Sequence, residues 1–221
     1  PVPPTLSIYK GVVQSAAEPK PALAGVTWYV ATTGNDANSC SSAGSPCATI
    51  NGAIGKATDG DTIDVAIGTY TGTGTEVVLI NKSITLSGGW DADFVIQNGM
   101  SIIDGENARK GILIWNTSES SNISINAFII QNGTPGIYSI ETVTLSNSIV
   151  RKNRYGIYNN GTMVINNSII ENNIDTGTNG GGGINNTSYR ILTINYSLIQ
   201  NNVADRVGGG IYNEGTLTLN S

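Results

Sequence analysis

NSIVRKN (Asn147 to Asn153), NSIIENN (Asn167 to Asn173) and NYSLIQNN (Asn195 to Asn202, with Tyr196 for the second Asn) repeat one phrase. A looser copy is NAFIIQN (Asn126 to Asn132), and Asn220-Ser221 begins another. Taking Ala127, Ser148, Ser168, Ser197 and Ser221 as the register residues, the copies are spaced 21, 20, 29 and 24 apart. Two further strips recur in step. One is GIYS at Gly136, GIYNNG at Gly156, GGGINN at Gly181 and GGGIYNEG at Gly208. The other is TVTLS (Thr142), TMVIN (Thr162), ILTIN (Ile191) and TLTLN (Thr216). A period of 20 to 30 residues carrying three short apolar strips between Gly and Asn marks a solenoid.

Each strip alternates apolar with small polar residues over three to five positions, the period of a strand. Three strands and three turns per repeat make one coil of a parallel β-helix, with coils stacked at about 4.8 Å. Like then stacks on like. Ile137, Ile157, Ile184 and Ile211 are expected to form an apolar ladder inside. Asn132, Asn153, Asn172 and Asn201 are expected at the coil corners, where Asn tolerates a left-handed backbone. From Ile63 to Ser221, at about 22 residues per coil, the chain makes roughly seven coils and a rod on the order of 35 Å long.

The flanking sequence is of another kind. Residues 1–26 hold a strand-like run, Leu6-Ser7-Ile8-Tyr9, followed by a Pro-, Ala- and Lys-containing linker. The solenoid domain is expected over 27–221, with a cap over about 27–60 and coils over about 61–221. Ile50, Ala53, Ile54 and Ala57 fall on one helical face, which predicts a short capping helix with Ser45 as N-cap and Pro46 at its first position. Terminal caps are expected in repeat proteins. Cys40 and Cys47 stand seven apart in a polar loop and suggest a local disulfide, hence an extracellular or cell-surface location. Two separate thiols are the alternative, and a zinc site lacks both His and a second Cys pair.

Composition narrows the function classes. Of 221 residues, 26 are Asn and 28 are Gly, while only 12% are charged. The net charge is −5, with no His. No basic stripe is present to neutralise phosphates, which excludes a nucleic-acid partner. No apolar run approaches the roughly 18 residues of a membrane-spanning helix. The Pro1 start reads as a mature or trimmed product.

The run PCATINGAIGKATDGDTIDVAIGTYTG, with INKSITLSGGW and IIDG after it, resembles the opening of right-handed parallel β-helix proteins of the pectin-lyase-like superfamily. The later GGGI and S-I-I-x-N copies resemble the repeats of polymorphic outer membrane proteins. The resemblance spans Trp28 to Ser221 and implies an all-β, right-handed parallel β-helix. The superfamily holds lyases, hydrolases, esterases, adhesins and tailspikes, so it implies no single activity. Its pectate lyases hold calcium on clustered carboxylates beside an Arg. Its polygalacturonases pair Asp residues with a His, which this sequence lacks.

The carboxylates available to the first arrangement are Asp59, Asp61, Asp64, Asp91, Asp93, Asp104 and Glu106, and none recurs on the same strip one coil later. Asp91 and Asp93, in a turn, are the candidate calcium ligands; no other cofactor is implied. Arg151 and Glu171 occupy equivalent places in adjacent coils, where an ion pair is expected. Tyr138, Tyr158 and Tyr212, interrupted by Asn185, form a candidate glycan face. Sequons, for example Asn81-Lys82-Ser83 and Asn132-Gly133-Thr134, permit glycosylation.

The reading is therefore a non-catalytic extracellular subunit of a surface filament or adhesin. Self-association is expected head to tail, with Leu6, Ser7, Ile8 and Tyr9 donated as a strand to a coil edge at Leu217, Leu219 and Ser221. The alternative is a polysaccharide-active lyase or hydrolase, or a glycan-binding module, of the same fold.

Overall fold

The structure, a computed structural model, describes residues 25–115, 122–177 and 180–221. The strand expected at Leu6 to Tyr9 lies outside these. The described chain winds as a right-handed parallel β-helix with three long sheets. Sheet A runs from Thr27–Val30 and Thr62–Ala66 through Thr85–Trp90, Asn122–Asn126, Thr142–Ser146, Thr162–Asn166 and Ile191–Asn195 to Thr216–Asn220. Sheet B begins at Thr69–Tyr70 and ends at Leu198–Gln200. Sheet C begins at Glu76–Ile80 and ends at Ile211–Asn213. Every strand pairs in parallel with its counterpart one coil away. Sheet A gains seven strands after Thr27–Val30, in agreement with seven coils.

Alternation along each strand sends every second side chain inward. In sheet A, Ile63, Leu86, Ile125, Leu145, Ile165 and Ile194 stack in register and are all buried. In sheet C, Val78, Ile112, Ile137, Ile157, Ile184 and Ile211 form the corresponding ladder, as the repeat required. The core is thus a column with one layer per coil, not a single centre.

At the corners the chain leaves the sheets and its N–H groups lose their strand partners, so side chains supply acceptors. The Ser148 hydroxyl accepts from the Phe128 amide at 3.1 Å and donates to the Ser146 carbonyl at 2.7 Å. Ser168 and Ser197 repeat this one and two coils on. Asn173 Oδ1 accepts from the Asn153 amide at 3.0 Å and from Asn153 Nδ2 at 2.9 Å, and Asn202 does the same for Asn173. A second internal ladder links Asn159, Asn186 and Asn213 at 2.7 Å per step.

These bonds correct the expected corner set. Asn132, Asn172 and Asn201 do hold left-handed backbone, but the fourth such corner is Lys152, at φ 54°. Asn153 belongs one residue further on, in the buried amide ladder. The left-handed corner selects backbone tolerance and accepts Lys, whereas the inner position needs an amide that both donates and accepts.

The helix start is also corrected. The helix α1 spans Ile50–Lys56 and its N-cap is Thr49, whose hydroxyl accepts from the Gly52 amide at 2.9 Å. Ser45 and Pro46 are too early because Cys47 is held beside Thr27–Val30: its amide donates to the Tyr29 carbonyl, and its carbonyl accepts from Ala31. Cys40 and Cys47 form the expected disulfide, with both side chains buried. The helix closes the first coil. Ile50, Ala53 and Ile54 face the core. Asn51 takes the place of a missing strand along Glu76–Ile80, donating to the Val77 carbonyl at 3.1 Å and accepting from the Leu79 amide at 2.9 Å. Lys82 Nζ donates to the Ile54 and Ala57 carbonyls at the other end of the helix.

Candidate glycan-facing surfaces

The carboxylates come first, because acid–base or calcium chemistry would rest on them. Asp36 accepts from the Ala48 and Thr49 amides and the Thr49 hydroxyl. Asp59 accepts from the Ser83 amide. Asp61 is buried and accepts from the Val26 amide, the Trp28 indole, and the Thr58 amide and hydroxyl. Burial pushes its pKa up, but these donors outweigh it and hold the carboxyl below its ordinary range. Asp104 behaves alike: burial opposes ionisation, while Gln131, the Glu106 amide and Asn132 together lower its pKa. Glu106 is ion-paired with Arg109.

Of the two calcium candidates, Asp91 Oδ1 accepts from the Val95 amide at 2.8 Å and shapes its own turn, while Asp93 is exposed. Among the described residues, no three His, Cys, Asp or Glu side chains converge as a metal-binding group. Arg151 and Glu171 are register partners, but Arg151 donates to Gln131 Oε1 at 2.9 Å, and Glu171 accepts from Gln200 at 2.7 Å. The expected ion pair is replaced by hydrogen bonds between each residue and the amide on its other side in the row.

Asp64 stands apart. It points outward from sheet A, half-buried, beside the Trp90 indole. Desolvation dominates and pushes its pKa up to about 6, against a smaller lowering by Trp90.

The outer row of sheet C reads Leu79, Leu113, Tyr138, Tyr158, Asn185 and Tyr212. The Tyr138 and Tyr158 rings stack with centroids 5.0 Å apart and planes 1° from parallel, and Tyr155 meets Tyr158 edge-on at 6.4 Å. These faces lie against each other, so the pair offers the solvent ring edges and hydroxyls. Burial raises the pKa of both Tyr155 and Tyr158. Tyr212 is set off from the pair: its ring lies over Gly180, where a Cβ would come within 3.2 Å of it, and its hydroxyl donates to Glu214 at 2.6 Å.

Two other outer surfaces are polar and repetitive. On sheet A, Asn166, Asn195 and Asn220 pass amide hydrogen bonds from coil to coil at 2.7 and 2.6 Å. Beside sheet B, a hollow of about 490 Å³ runs across three coils between Asn132, Lys152, Arg154, Asn172 and Ile174. Beyond the last coil, Leu219 is 62% exposed over a hollow of about 360 Å³ lined by Ile194, Ile199 and Ile211.

No family model matches the sequence, and no curated protein matches it. Among solved structures, the crystal structure of pectate lyase Pel9A superposes with a TM-score of 0.61 at 22% identity, covering 77% of this chain. The match takes up 46% of the length of that enzyme. The likeness is one of fold: both chains are built as a parallel β-helix.

Proposed function

We propose that the chain is a non-catalytic extracellular β-helix scaffold of the adhesin type, which holds extended glycan on its outer faces. The observation carrying this reading is that those faces are ladders. The Asn row of sheet A passes the same amide bond from coil to coil, and Tyr138 and Tyr158 stack like on like on sheet C. Catalysis requires unlike groups gathered at one point; a repeated row suits a repeated polymer. The disulfide supports an oxidising location.

A panel of soluble polysaccharides separates this reading from a lyase or hydrolase. Saturable retention on at least one, with neither reducing ends nor unsaturated product released in the presence of calcium, is the expected result. Release of product that is lost in Asp104→Asn or Asp91→Asn would overturn it in favour of an enzyme.

A filament-forming variant of the scaffold is the second reading, from the strand-like run Leu6-Ser7-Ile8-Tyr9, which suits strand addition to a sheet edge. Such a subunit loses its higher oligomers in light scattering when residues 1–13 are deleted. Unchanged oligomers in the deletion would remove strand donation by Leu6 to Tyr9.

A further inference from the structure

The first two coils carry a patch unlike any of the ladders. Asp64 lies in one outer row of sheet A between Tyr29 on one side and Ser87 on the other. After Ser87 the strand makes a bulge, so that Trp90 pairs with Ala66 and its indole turns back to donate to Ser87 Oγ at 3.1 Å. The chain then makes an excursion through Asp91 to Gln97. Its Phe94, at φ 58°, meets Tyr29 edge-on at 5.0 Å, and Gln97 Nε2 reaches back to Ser87 Oγ at 3.0 Å. Asp64 is thereby flanked by Tyr29 and Trp90, with Phe94 behind Tyr29.

The hydrogen-bond state of this patch is informative. Ser87 Oγ already accepts two bonds, from Trp90 and Gln97, so its own proton is the group it has left to offer. Asp64, unlike Asp36, Asp61 and Asp104, accepts nothing from backbone, and so has acceptor capacity to spare beside that donor. A donor and an acceptor side by side, against aromatic rings, match a sugar: one hydroxyl donates to the carboxylate, its neighbour accepts from Ser87, and the C–H face packs on indole. Neighbouring charges fix the class further. Asp91 and Asp93 sit on the same excursion, and the cationic groups of the hollow are on another sheet, so a uronic acid meets like charge here.

We infer that Asp64, Ser87 and Trp90, walled by Tyr29 and Phe94, form a subsite for a neutral sugar unit at the capped end of the rod. This rests on the scaffold reading above and gives it a first specific contact.

The test uses the full chain with cellopentaose, xylopentaose and chitopentaose, followed by Trp fluorescence and calorimetry. At least one should bind saturably. Trp90→Ala should abolish that binding, and Asp64→Asn should weaken it at least tenfold while thermal stability at pH 7 holds or rises, which a merely structural residue would not give. Tyr189→Ala, at an exposed aromatic outside every row, should leave it unchanged. Binding that survives both Trp90→Ala and Asp64→Asn overturns the subsite but leaves the scaffold standing. Preference for polygalacturonate, or for choline as an ammonium probe, overturns the neutral-sugar assignment, as does failure of all three oligosaccharides to bind. Release of cleaved product would instead sink the scaffold reading and leave the subsite intact.

Discussion

Asn172 and Asn173 are adjacent, identical in type and opposite in role. Asn173 is buried and supplies acceptors to Asn153 while its own amide group donates to Asn202 and to the Val150 carbonyl. Asn172 holds a left-handed backbone at the surface. Asn173→Ala takes the shared acceptor from the Asn153 donors and the amide donor from Asn202 Oδ1 and the Val150 carbonyl, and should cost about 2–3 kcal/mol in urea unfolding. Asn172→Gly keeps the corner geometry and should change stability by less than about 1 kcal/mol. A second residue-scale expectation concerns Asp64. Its folded pKa of about 6 exceeds the ordinary value of 3.8, so between those values the folded chain holds a proton that the unfolded chain has released. The stabilisation is therefore complete below pH 3.8 and lost as pH rises through 6. Asp64→Asn should thus raise stability at pH 7 by about 1 kcal/mol, after allowing for solvent screening of a half-buried group, and leave it unchanged at pH 3.5. Comparing thermal midpoints at the two pH values checks the sign.

At the scale of elements, the strands were legible because their alternation recurs, and four or five copies of a short pattern establish what one copy cannot. The cap occurs once and had only helical spacing to announce it. That spacing located Ile50, Ala53 and Ile54 correctly, but the start was misplaced because Cys47 pairs with a strand seventeen residues earlier, a tertiary constraint invisible in the local signal. The link between α1 and Glu76–Ile80 was likewise hidden, since nothing local marks Asn51 as a substitute for backbone. Asn51→Ala should cost about 1–2 kcal/mol and strip the Leu79 amide of its hydrogen-exchange protection, with the middle coils unaffected. The Tyr row could be read from the repeat. The Asp64 subsite could not: Tyr29, Asp64, Ser87 and Phe94 come from the cap, two coils and an excursion, and only the winding brings them to one face.

For the molecule as a whole, the core is a column in which each layer touches the layers above and below. Truncating a central layer, as in Ile165→Ala, should cost about 3 kcal/mol. The loss should be felt first in the strands Thr142–Ser146 and Ile191–Asn195 and last at Thr27–Val30, a gradient that hydrogen exchange can follow residue by residue. The same arrangement explains why the serine register survives unequal spacing. Ser148 to Ser168 is 20 residues and Ser168 to Ser197 is 29, yet both steps end in the same hydroxyl-to-amide bond, at 3.2 and 3.0 Å. The register is therefore kept although the second coil is nine residues longer. Sequence length and rod length are consequently independent quantities. Adding or deleting a whole coil would lengthen or shorten the rod by one notch of about 4.8 Å, whatever number of residues that coil contains, as on a graduated ruler.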